Sequence, residues 1–279
     1  MTRSFSLTRR EALAAAVAAA LTGRAAAQQS ARKPKAPPGL DPGGVAVAIV
    51  GNGINYLRPE IAARLARDGE GDLIGFDLGD NDARPIERVP PPSPTSPPGP
   101  HSSLTLLLLR EAPAARLVIA RRKPGDRDGL AKGVGFVGVT PARIVLLLPE
   151  GPSENWDLLK QAAAHFKRHL IVLPASEAMP AATGALGPNV LVVGPLASDG
   201  AGPSQAHADL LAGSVVEGTA AGAMVAATRV TALAARLAAG DPKLEGSALK
   251  MRLLALGQRA AGAPPTDPPS ISEPHRLAK

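Results

Sequence analysis

The stretch IVGNGINYLRPEI, Ile49 to Ile61, decides how this chain folds. It completes a continuous β-branched and alanine run, Val45 to Val50, that reads as a buried strand. Gly51-Asn52-Gly53 then supplies a turn, and Pro59-Glu60-Ile61 opens a short helix. One kind of strand-turn-helix unit binds a dinucleotide through G-x-G-x-x-G. Here Tyr56 stands where the third glycine must let helix and strand approach. Pro59 would fall inside the helix, where proline costs about 3 kcal/mol. Asp72 supplies the acid expected further along, but surface acids are common. A nucleotide-binding protein using Gly51 to Gly53 therefore stands last among the functional readings.

The rest of the chain is built in the same style. Its 279 residues suit one large α/β domain or two small ones. With one Trp, one Tyr and four Phe, the core must come from Ala, Val, Leu and Ile. Strands are expected at Asp72–Phe76, Ala115–Ala120, Ala142–Leu148, His169–Leu173 and Asn189–Val193. Helices are expected at Leu104–Arg110, Asn155–Arg168, Gly222–Ala239 and Leu244–Leu256. Arg88 to Pro100 is a proline-rich loop. Alternating strands and helices predict a three-layer α/β/α architecture: a mainly parallel sheet with helices on both faces.

The absence of cysteine excludes disulfides, thiolate catalysis and cysteine-ligated metals. The net charge of +7 sits at the ends. Residues 1–35 carry seven basic residues against one acid, residues 258–279 a net +1, and the body between them none. A nucleic-acid-binding body would need a basic face, so nucleic acid is not an expected partner.

The N-terminus reads as an export signal. SLTRREALAAAVAAALTGRAAAQ has a basic start, an apolar stretch from Ala12 to Leu21 and an Ala25-Ala26-Ala27 site before Gln28. The stretch is too short to span a bilayer, which takes about 20 residues. Arg9-Arg10 resembles a twin-arginine signal. The expected organisation is a signal peptide at 1–27, a disordered Pro-rich leader at 28–43, one domain at 44–257 and a disordered tail at 258–279. The expected location is periplasmic or secreted, with no membrane contact beyond the signal.

Several segments together resemble a known family. VAVAIVGNGINYLRPEIAA followed by LIGFDLGDND is similar to the opening of subtilisin-type serine peptidases. That opening reads strand, D-[ST]-G-[IV], H-P-[DE]-L, then a strand ending G-W-D-F-x-D-N-D. Leu106 to Arg121 resembles the helix and strand after the catalytic histidine. ARIVLLLPEG, HLIVLPASE and NVLVVGPLASDG resemble three later strands, in the family's order. The resemblance covers residues 44–257 and implies the subtilisin-like fold.

It also implies where catalysis would sit, and those positions are altered. The triad needs Ser as nucleophile, His as base and Asp to orient the His. The aspartate position matches Gly51, which has no side chain. Asp77, Asp80 and Asp82 match turn or cation-loop acids rather than substitutes. His101 matches the histidine, although a register one residue earlier puts Pro100 there. The serine position matches Met224, or Ala220 in a second register. The oxyanion asparagine is replaced by Glu177, whose charge would repel the developing anion.

The expected function is therefore a non-catalytic, protein- or peptide-binding pseudopeptidase. The alternative is a subtilisin-family hydrolase of altered chemistry, with His101 acting beside Ser102, Ser103 or a nearby acid. No cofactor and no metal are implied. His165 and His169 have helix-pair spacing, but basic neighbours repel cations and the glutamate of H-E-x-x-H is missing. Ser214 has no base near it in sequence, and Leu146-Leu147-Leu148-Pro149 reads as core.

Overall fold

β1 (Ala46–Gly51) carries the strand read from sequence, and every residue in it is buried. The computed structural model describes residues 33–150, 154–176, 179, 186–196, 207–214, 222–257 and 268–277. Two compact units divide the chain, Met1–Lys35 and Ala36–Lys279. In the first, the described residues 33–35 form no helix or strand.

In the second unit β1 is joined by β2 (Gly75–Asp77), β3 (Arg116–Arg121), β4 (Ile144–Leu147), β5 (Leu170–Pro174), β6 (Val190–Leu196), β7 (Leu210–Gly213) and β8 (Ser270–Ile271). Among the described residues these form one sheet in the order β2-β3-β1-β4-β5-β6-β7-β8. Every ladder is parallel.

The helices are α1 (Pro59–Ala62), α2 (Pro100–Glu111), α3 (Gly129–Val137), α4 (Trp156–His165), α5 (Ala223–Gly240) and α6 (Gly246–Leu256). Alternation along the strands assigns them to layers. Val47, Ile49, Leu117, Ile119, Ile144 and Leu146 share one core with α2, α5 and α6. Ala48, Val50, Val118, Ala120, Val145 and Leu147 share the other with α3 and α4. This is the three-layer α/β/α arrangement expected of continuous apolar strands.

The sheet order locates a crevice. From β1 the chain leaves toward β2 and β3 on one side, and from β4 toward β5 to β8 on the other. β1 and β4 are neighbours, so their C-terminal ends flank the point where the order reverses. Open parallel sheets place ligand sites at such points. Gly51 ends β1 there, and Leu148 follows β4, donating its N–H to the Val50 carbonyl.

Two terminal segments carry contacts within their described residues. The segment 28–43, read as a disordered leader, is held on the body over its second half. Asp41 accepts the N–H groups of Gly43 and Arg67 and pairs with Arg116 at 2.6 Å, while the Arg67 guanidinium donates to the Pro37 carbonyl. A proline-rich chain has few donors of its own, and these side chains supply the missing contacts. The tail at 258–279, also read as disordered, contributes an eighth strand within its described residues. Ser270 and Ile271 pair with Leu211 and Ala212, Ile271 is buried, and Arg236 donates to the Pro274 carbonyl.

That edge requires glycine at 213. A Cβ there would lie 2.0 Å from the Ser272 carbonyl oxygen. In Gly213→Ala the two backbones must separate. Limited proteolysis within 268–277 is expected to quicken about tenfold, corresponding to about 1.4 kcal/mol of easier local opening. An unchanged cleavage rate would show that the edge does not depend on this close approach.

Candidate functional site

The turn after β1 is packed by its own chain. Gly53 has φ +82°, and a Cβ on it would meet the Pro85 carbonyl oxygen at 2.6 Å. Ile54 bridges Ile86, giving its N–H to Pro85 and accepting that of Glu87. Ile54 and Tyr56 are fully buried. The glycines thus serve approach to residues 85–87, and Pro59 opens a helix of only four residues. Neither feature gives a dinucleotide turn its long helix.

This packing delivers Glu87 to the start of α2. Gly99 and Pro100 begin that helix in the usual way, with proline at its first position. The Glu87 carboxylate accepts the N–H groups of His101 at 3.0 Å and Ser102 at 3.2 Å, and the Ser102 hydroxyl donates to it as well. The same hydroxyl accepts the Asn55 N–H at 2.7 Å. A carboxylate here satisfies otherwise unpaired helix N–H groups and faces the positive end of the helix dipole. Burial nevertheless raises the Glu87 pKa, outweighing the hydrogen bonds that lower it.

His101 lies over Gly51. A Cβ at Gly51 would come within 2.7 Å of the ring Cε1 and 2.8 Å of Nδ1. Nδ1 accepts the Asn52 N–H at 2.7 Å, and Nε2 lies 3.5 Å from Glu150 Oε1. The ring is 5% exposed, and its pKa falls to about 4 because burial, and then Arg122, disfavour the cation. The imidazole is therefore neutral at pH 7. An N–H pointed at Nδ1 places its single proton on Nε2. In a serine triad Nε2 must instead hold a free lone pair for the serine proton, and Nδ1–H faces the aspartate. This ring has the opposite tautomer.

Charge around the ring comes from β3 and the segment after β4. Arg122 is 1% exposed and forms a forked pair with Glu154 at 2.6 and 3.2 Å. Arg121 pairs with Asp77 through one nitrogen, Nη1, which reaches both carboxylate oxygens at 2.8 and 3.0 Å. Burial raises the Glu150 pKa, against the lowering influence of Arg122 and Arg121.

The remaining predicted residues fall elsewhere. Met224 is the second residue of α5, 41% exposed, its carbonyl accepting the Thr228 hydroxyl. Glu177 and Ala220 lie outside the described residues. Asp77 is buried against Arg121, and Asp80 pairs with Arg88. Leu146, Leu147 and Leu148 are all core residues. Ser214 follows β7 and is buried. α4 ends at His165, so His169 is not its helical partner, and Phe166 packs edge-on against both rings. Among the described residues no three His, Asp or Glu side chains are grouped to hold a metal.

Sequence reading singled out Gly51 and His101, which meet here, and did not single out Glu87, Glu150, Arg122 or Glu154. Glu150 carried a usable signal, being an acid just past a buried strand. Glu87 carried none, since only the Ile54–Ile86 bridge brings it to α2.

The fold has clear counterparts among solved structures. A lanthipeptide protease superposes with a TM-score of 0.60 at 14% identity, covering 85% of this chain and 89% of its own. A cold adapted subtilisin-like serine proteinase gives 0.59 at 17%, covering 85% and 90%. The fold is subtilisin-like. MycP1 from Mycobacterium smegmatis shares it at 0.54 and 15%, covering 88% and 81%. Comparison with family models and with curated protein sequences gives no match. On the subtilisin-like fold of this chain, Gly51 and His101 come into direct contact at the crevice, and Met224 is presented at a helix start.

Proposed function

We propose that this chain is an exported subtilisin-like pseudopeptidase that binds protein instead of cutting it. The observation that carries the reading is the His101 ring, packed over Gly51 with Nδ1 accepting the Asn52 N–H. Where the family resemblance places an orienting carboxylate, there is a glycine whose vacant side-chain volume the histidine itself takes. Where it places a nucleophile, there is Met224, or Ala220 in the second register. The nearest hydroxyl along the chain, on Ser102, is fully buried and engaged by Glu87 and Asn55, which counts against a hydrolase built on His101 and Ser102.

Export rests on the N-terminal segment, with Gln28 as the first mature residue. That segment lies outside the described residues, and among those described no helix is long and apolar enough to cross a membrane. The partner is a protein or peptide engaged at the crevice end of the sheet.

The purified mature protein is expected to resist a fluorophosphonate serine probe and to leave peptide substrates intact. Loss of the nucleophile or the base alone costs about 10⁶ in kcat. Labelling that co-purifies with the protein and disappears in Met224→Ala or His101→Ala would overturn the reading.

A further inference from the structure

His101 joins three pieces of chain around one ring. Its backbone belongs to the first turn of α2, Nδ1 takes the N–H of Asn52 in the turn after β1, and Nε2 faces Glu150 after β4. The Asn52 contact exists only while Nδ1 has a lone pair. We propose that His101 is an acid-released latch: neutral, it seals the crevice over Gly51, and on taking a proton it must leave that place.

The geometry dictates the release. A protonated imidazole is a donor at both nitrogens. With nitrogens 2.7 Å apart, Nδ1–H would then face the Asn52 N–H, donor against donor. A ring flip puts a C–H there and still loses the bond. The Asn52 N–H cannot retreat, because Gly51 lies in a buried strand paired on both sides and its carbonyl accepts the Arg122 N–H. The mobile partner is the side chain.

The charges facing the ring set the balance. The loop before α2 brings Glu87, the end of β3 brings Arg121, the residue after it is Arg122, and the segment after β4 brings Glu150 and Glu154. The β1 turn brings Tyr56, whose phenol burial keeps neutral. β1 itself, and residues 223–228 of α5, carry no titratable group. Glu87 is committed to α2 and Glu154 to Arg122, so Glu150 is the acceptor left for a charged ring. Burial keeps the Glu150 pKa raised, which weakens that rescue as the pH falls. The latch makes no assumption about which partner binds, so it stands apart from the pseudopeptidase reading.

Nitrogen-15 NMR of the full mature protein tests it, with protons as the ligand. At pH 7 the His101 Nδ1 should show the unprotonated resonance and Nε2 the protonated one. On acidification the Asn52 amide should shift with the same midpoint as the ring, about pH 4. Its hydrogen-exchange protection should then fall about tenfold beyond the global change. His101→Asn retains an acceptor near Nδ1 and cannot titrate there, so its Asn52 amide should stay still. A protonated Nδ1 at pH 7 overturns the latch. So does an Asn52 amide that ignores the ring's titration, the same transition in His101→Asn, or cooperative unfolding before the ring titrates.

Discussion

Arg122→Ala should destabilise the protein by about 3–5 kcal/mol in urea titration, the cost of leaving a buried carboxylate without its partner. Glu154 is 8% exposed, and both its oxygens are held by the Arg122 guanidinium. The same guanidinium donates to the Asp126 carbonyl at 3.0 Å, just ahead of α3. Its stem supports that helix too, since a Cβ on Gly129 would come within 2.9 Å of Arg122 Cδ. Removing the side chain therefore strands a charge, frees a carbonyl and opens a space beneath α3. The double variant Arg122→Met, Glu154→Leu separates these effects. A buried pair repays little more than its own desolvation, so an apolar replacement should recover most of the loss. Arg122 also helps to depress the His101 pKa, so the single variant should let it rise. A single variant within 1 kcal/mol of the parent would remove the argument, as would a double variant no better than the single.

Local patterns carried what was legible in the sequence. β1, β3, β4 and β5 announce themselves as uninterrupted Val, Ile, Leu and Ala runs, because both faces of a parallel strand are covered. Tyr56 and Pro59 were enough to refuse the dinucleotide turn, since each violates a steric requirement within a few residues. α3 was not legible. Gly129, Gly133 and Gly135 disguise it as loop, yet a Cβ on Gly133 would lie 2.3 Å from Val50 Cγ1, so the residue that hides the helix is the one that lets it reach β1. β8 was hidden for a different reason: two residues become a strand only because β7 offers an edge. At the site, the identity of His101 was legible and its state was not. Its tautomer is fixed by an N–H 49 residues away and its burial by packing against Gly51. Neither leaves a periodic trace in the chain.

Gly51→Ala tests that packing with one methyl group. The new Cβ would lie 2.7 Å from Cε1, 2.8 Å from Nδ1 and 3.3 Å from Leu148 Cβ. The strand cannot yield, so the imidazole must move and give up the Asn52 hydrogen bond. Overpacking costs about 1–3 kcal/mol and the lost bond about 1, so a total near 3 kcal/mol is expected at pH 7. The pH dependence should change as well. In the parent, the folded-state pKa of about 4 lies below the ordinary 6.5, so the unfolded chain binds more protons between them. Stability from this group is complete above pH 6.5 and falls as the pH drops toward 4, by about 3 kcal/mol in all. Glu87 and Glu150, both raised, act with the opposite sign, gaining stability as the pH falls, and they are present in both proteins. The difference between the two stability curves from pH 7 to 4.5 therefore isolates His101. Once displaced toward water, the ring should titrate nearer 6.5 and the curve should flatten. Full stability with an unshifted His101 would mean that the ring does not need the empty position. The same contact bears on any attempt to rebuild a triad. An aspartate at 51 begins from that Cβ, so its carboxylate can orient the histidine only after its first carbon has expelled the ring from the place it now holds.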